Sequence, residues 1–175
     1  MKNSEANSWN DALARHAASA ATFRETAGAI SPESWSVPLG KGKWSAAQVT
    51  EHLNRTYQVV IGELSGGNGI RIRTPWLLRQ VLRQTVLRSI YRKRKLPKGA
   101  RAPSEVIPKD VEGTQLQLVE RFRNLATQFE QIAQSNAGKD ERNLTHHIFG
   151  EIDVLRGIDF IAIHIEHHQR QIANQ

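Results

Sequence analysis

The sequence predicts an all-α fold, a four-helix bundle in up-down-down-up order, with a long crossover carrying an extra short helix between helices 2 and 3. Three observations carry that expectation. Apolar residues recur at spacings of three and four through four long stretches, the pattern of helices that each bury one face. Few stretches alternate apolar and polar residues as a half-buried strand does. The link between the second and third long helices is long enough to run the length of a bundle, so two consecutive helices can point the same way.

The first helix is expected from about Ser8 to Ile30, with Trp9, Leu13, His16, Ala20, Phe23, Ala27 and Ile30 forming its seam. Ser31-Pro32 ends it, and a loop through Pro38, Gly40 and Gly42 leads to Trp44. Ser45 followed three residues later by Gln48 is a capping box, so the second helix begins there and continues to about Leu64, before Gly66-Gly67. Thr74-Pro75 reads as a cap and first-turn proline for a shorter helix from Trp76 to Tyr91. Its apolar residues (Leu77, Leu78, Val81, Leu82, Val86, Leu87, Ile90) spread round most of the circumference among Arg79, Arg83, Arg88 and Arg92. Such a poor amphipath is an excursion that packs partly on the bundle, its arginine stems lying along apolar surface.

Residues 92–108, with Pro97, Pro103 and Pro108, look like an extended crossing. The third long helix, about Asp110 to Gln134, carries Leu118, Phe122, Leu125, Phe129 and Ile132 on one stripe and is stopped by Asn136 to Gly138. Phe149-Gly150 turns the chain into the fourth, about Glu151 to Asn174, with Val154, Ile158, Ile161, Ile165, His168 and Ile172 on its seam.

At 175 residues a single domain, 1–175, can bury a core without disulfides or a structural metal. The absence of cysteine fits a reducing compartment and excludes thiolate ligands and a cysteine nucleophile from the chain. No apolar run is long enough to span a bilayer, and the first residues lack a signal peptide's hydrophobic region, so a cytoplasmic protein is expected. The formal charge of +7 belongs to one segment: residues 71–101 hold 11 of the 24 Lys and Arg and no acid, leaving 13 basic against 17 acidic groups elsewhere.

Function points to three histidines. His52 lies two turns into the second helix, and His164 and His168 form an H-x-x-x-H pair in the fourth. Positions four apart on a helix are only about 40° apart in projection, so two imidazoles can address one ion. A third from another helix completes a facial set that leaves coordination positions open. A lone histidine on an apolar face is ordinarily a hydrogen-bonded core residue. Several unpaired imidazoles buried side by side, however, cost free energy that a shared ion removes by using their lone pairs. His167 lies about 100° round from His168 and is expected to face solvent or a neighbouring helix. His16 sits on the first helix's seam as an ordinary core histidine, and His146 and His147 have capping or surface roles. Asp153 shares the projected face of His164 but stands three turns away; an outer contact for it, for Glu51 or for Gln171 has no support in the spacing alone.

These motifs resemble the DinB-like superfamily of metal-dependent enzymes. G-K-W-S-A-A-Q-V-T-E-H-L is similar to that family's Trp-Ser capped helix ending in His-Leu. The stretch H-H-I-F-G-E-I-D-V-L-R-G-I-D-F-I-A-I-H-I-E-H-H-Q-R-Q-I resembles its closing Phe-Gly and spaced-histidine signature. With the proline-bearing crossing from Leu96 to Pro108, the resemblance covers most of the chain. It implies an up-down-down-up bundle, often a homodimer, with a divalent metal on the histidines matching His52, His164 and His168. Family activities include thiol transfer with low-molecular-weight thiols and a thiol-dependent isomerisation.

Three neutral imidazoles leave a divalent ion its full charge, which acidifies a water or thiol. The expected function is a metal-dependent hydrolase or thiol transferase acting on a small-molecule substrate, with any thiol drawn from a cosubstrate. Zinc is the first expectation for the metal; nickel, iron or manganese suit the same ligands. Two rivals remain open. One is a metal-stabilised scaffold without catalysis. The other is nucleic-acid or anionic-surface binding through residues 71–101 within the basic excursion of about 71–108, where Trp76 and Tyr91 accompany the arginines. Charge runs are usually solvated faces, and no nucleic-acid motif accompanies this one.

Overall fold

The computed structural model describes residues 3–97, 99, 101–137 and 143–173. Four long helices dominate: α1 (Asn3–Gly28), α3 (Ala46–Leu64), α6 (Gln115–Ser135) and α7 (Val154–Ile172). A one-turn helix, α2 (Pro32–Trp35), follows α1, and α4 (Trp76–Leu82) and α5 (Arg88–Lys93) lie in the long connection between α3 and α6. A short antiparallel pair, β1 (Asn143–His146) and β2 (Gly150–Asp153), precedes α7.

The long helices pack because each presents an apolar stripe. Phe23, Leu53, Tyr57, Leu118, Phe122, Phe129, Ile158 and Ile165, drawn from all four, lie in one buried cluster. α1 packs mainly on α7 and α6, and α3 mainly on α6. Arg15 on α1 adds a two-pronged ion pair to Asp159 on α7, at 2.8 and 3.1 Å. A second cluster, Leu87, Ile90, Phe149, Ile152, Phe160 and Ile163, seats the excursion on the hairpin and on α7.

The expected capping box of α3 is present: Ser45 Oγ accepts from the Gln48 amide at 3.2 Å, and Gln48 Oε1 accepts from the Ser45 amide at 3.0 Å. Several boundaries differ from expectation. α1 starts at Asn3 and stops at Gly28. α6 begins at Gln115 rather than near Asp110, because Gly113 adopts φ 108 and Thr114, with Gln117, forms a second capping box there. α6 closes on Asn136; Gly138, the other expected stop, lies outside the described residues. So does Asn174, the expected end of the last helix.

Pro75 is the cap residue of α4 itself, with Trp76 the first helical position, so Thr74 is not its cap. Between α4 and α5 the chain makes a π-helical turn, Arg83–Leu87. The wider turn rotates the buried face, which explains why the apolar residues of this segment fit no single stripe. Residues 151–153, expected as helix, are strand: Leu144 pairs with Ile152, and Gly150 and Ile152 are buried while Glu151 and Asp153 face out. A four-residue strand is too short to announce itself by alternation.

Candidate metal centre

His52, His164 and His168 converge. His52 comes from α3, on a helix fixed at its start by Ser45, and is 3% exposed. Its Nε2 stands 3.1 Å from His164 Nε2, and His164 Nε2 stands 3.0 Å from His168 Nε2, one turn along α7. Each ring offers one nitrogen to a common point, and the three residues can hold a metal ion together.

Outer contacts fix which nitrogen points inward. His52 Nδ1 meets the Val106 carbonyl at 2.8 Å; a carbonyl only accepts, so Nδ1 carries the proton and Nε2 keeps its lone pair. His168 Nδ1 likewise donates to Gln171 Oε1 at 2.8 Å. Val106 belongs to the 3-10 turn Ser104–Val106 in the proline-bearing crossing, which therefore reaches over α3 to orient a ring. The Trp44 ring lies 4.9 Å from that of His52, centroid to centroid, and walls one side.

Burial keeps the cluster neutral. It pushes His52 down to about 4, against the Val106 hydrogen bond, which favours the charged form. His164 and His168 fall well below the ordinary histidine range, first through burial and then through the charge their neighbours would carry. With His52 and His168 both presenting lone pairs, His164 can donate at most one proton to two facing nitrogens. At least one close contact then sets lone pair against lone pair. A cation shared by the three resolves that conflict, and two imidazole nitrogens bound to one ion at about 2.1 Å stand roughly 3.0 Å apart at a right angle. At the tetrahedral angle the same bonds would put them about 3.4 Å apart, so the observed 3.0 and 3.1 Å lie nearer the right-angled arrangement.

The other histidines stay outside. His16 is fully buried in the bundle, its Nε2 on Tyr57 Oη at 2.7 Å and its Nδ1 on Glu130 at 2.8 Å, so it is a satisfied core residue. His167 is half-buried, with Gln171 Nε2 donating to its Nε2 at 3.0 Å. His146 is half-buried and does not cap α7, whose cap is Asp153. Its ring stacks on Phe149, its Nδ1 accepts from the Ile148 amide, and burial pushes it down to about 3. His147 is half-buried, and its carbonyl accepts from the Arg73 amide.

Asp153 caps α7, accepting from the Arg156 amide at 2.9 Å, and has no part in the cluster. Glu51 pairs with Arg55 and Arg121 rather than with a histidine. Gln171, unsupported by spacing, is the group that sets His168. The Val106 carbonyl had no sequence signal of its own, whereas the Trp44 wall belongs to the Trp-Ser motif at the start of α3. The basic segment is partly used inside the fold. Arg73 binds Ser104 and Glu105, Arg83 donates to the Phe149 and Glu151 carbonyls, and Arg94 pairs with Glu166 and Asp159.

A family model described as the DinB superfamily matches residues 15–172. Among solved structures, the crystal structure of TT2238, a four-helix bundle protein, is similar with a TM-score of 0.55 and 21% sequence identity, over 95% of this chain and 99% of that one. At that identity the likeness speaks for the fold. No curated protein gives a significant match.

Proposed function

The chain belongs to the DinB superfamily, and from that premise we propose that it is a metal-dependent enzyme in which His52, His164 and His168 hold one divalent ion, zinc first among the candidates. The reaction proposed is hydrolysis of a small molecule or transfer of a low-molecular-weight thiol. In this reading the long helices run up, down, down and up, and two copies of the chain associate as often in the family. The observation that carries the proposal is the meeting of three neutral imidazoles whose inward nitrogens lie 3.0 and 3.1 Å apart. An ion with only neutral ligands keeps its full charge and supplies a more acidic water or thiol near neutral pH.

The chain's own residues then have defined tasks. The Val106 carbonyl and Gln171 Oε1 hold the protons of His52 and His168 on the outer nitrogens. His52 and His168 are buried, and His164 is half-buried. With no cysteine in the sequence, a thiol nucleophile has to arrive as a cosubstrate.

The test is turnover. Metal-loaded protein is offered electrophilic small molecules with and without low-molecular-weight thiols, beside His52→Ala and His164→Ala. Metal-dependent turnover absent from both variants is expected. Metal uptake without turnover on any substrate, with or without thiol, leaves the scaffold reading and overturns the enzymatic one.

A further inference from the structure

We propose that the outward face of α4 docks on an anionic lipid surface. The helix is turned inside out. Arg83 Nη1 donates to the carbonyls of Phe149 and Glu151, and Arg79 lies so close over Gly150 that a Cβ there would meet Arg79 Cδ at 2.8 Å. The arginines thus face the β-hairpin. Helical geometry puts residues 77, 78 and 81 on the side away from 79 and 83. Those residues are Leu77, Leu78 and Val81, exposed by 73%, 51% and 58%, beside Trp76 at 62%. Three of the six large apolar side chains exposed among the described residues share that side, and a fourth, Trp76, stands at the helix's first position, so the exposed apolar surface is concentrated on α4 rather than scattered.

Charge selects the occupant. Arg71, Arg88, Arg92, Lys93 and Lys95 flank or continue the helix, all exposed, and none enters an ion pair among the described residues. The whole of 71–101 has no acid to answer them. A second copy docked about a twofold axis would set this patch against itself and bring those cations together. Nucleic acid would neutralise the cations but has no use for Leu77, Leu78 and Val81. An anionic bilayer surface takes both: aliphatic side chains and a tryptophan enter the boundary between headgroups and acyl chains while arginine and lysine stay among the phosphates. No helix of the described residues is long and apolar enough to cross a membrane, so the contact lies in the surface plane.

Flotation of the full chain with vesicles tests this, using phosphatidylcholine alone or with about one third phosphatidylglycerol. Binding to the anionic vesicles only is expected, weakened as salt rises toward about 0.5 M. The double variant Leu77→Glu, Val81→Glu, at exposed positions where no core contact is lost, should bind at least about tenfold more weakly. Arg92→Glu with Lys93→Glu should also release the protein. Four outcomes overturn the proposal: no flotation at low salt, equal flotation of the Leu77/Val81 variant, short duplex DNA bound in place of vesicles, or a lipid-free dimer that the Leu77/Val81 variant dissociates.

Discussion

The Nε2 atoms of His52 and His164 face each other at 3.1 Å although 112 positions of chain separate them. Burial disfavours protonating either ring, and His164 has at most one proton to share between His52 and the equally close His168, so a cation held by all three accounts for the closeness.

Removing a ring should therefore remove the stabilisation that the metal gives. In the wild type, micromolar zinc is expected to raise the melting temperature. His52→Ala and His168→Ala should show no such rise. A comparable zinc-induced rise in both variants would place the ion elsewhere.

Gln171 is a positioning residue that acts through His168. Gln171→Met keeps the length and helix preference but takes away the acceptor for Nδ1–H. Metal affinity should drop about 10–100-fold by isothermal titration, with the helical circular dichroism unchanged. Unaltered affinity would mean that packing alone orients the ring.

The metal-free protein should lose stability as pH falls. An imidazole whose folded pKa lies below its unfolded value takes up its proton more readily in the unfolded chain. Stability from such a group is complete above about pH 6.5 and is lost as pH falls toward the folded value, about 4 for His52. His146, pushed down to about 3, acts in the same direction. Thermal melts in chelator at pH 7.5 and pH 5 should show the lower midpoint at pH 5. A midpoint that rises on acidification contradicts this.

Gly150 has φ 71 and lies under Arg79, so Gly150→Ala meets both an unfavourable backbone region and a side chain in its way. A loss of about 1–3 kcal/mol is expected in denaturant unfolding. No loss would show that α4 does not rest on the hairpin as described.

Much of this was legible in the sequence because its determinants are local or periodic. The stripes of α1, α3, α6 and α7 follow from three- and four-residue spacing, and Ser45 and Gln48 mark the start of α3 directly. His164 and His168 share a helix, so their closeness could be read from their spacing. The contact with His52 could not; it depends on how α3 meets α7. The Val106 carbonyl is a backbone atom and carries no signature of residue type. The β1–β2 pair was hidden by its length, and the π turn by a pattern that changes phase halfway. The inverted α4 was visible only as a poor amphipath, because its meaning depends on the hairpin carbonyls that receive Arg83.

Elemental analysis of protein purified without a nickel column, followed by zinc titration of the chelated form, tests the shared-ion claim most directly. About one divalent ion per chain is expected, with uptake abolished in His52→Ala and in His168→Ala. Wild-type protein that carries no stoichiometric ion and takes up none from added zinc, nickel, iron or manganese would contradict it.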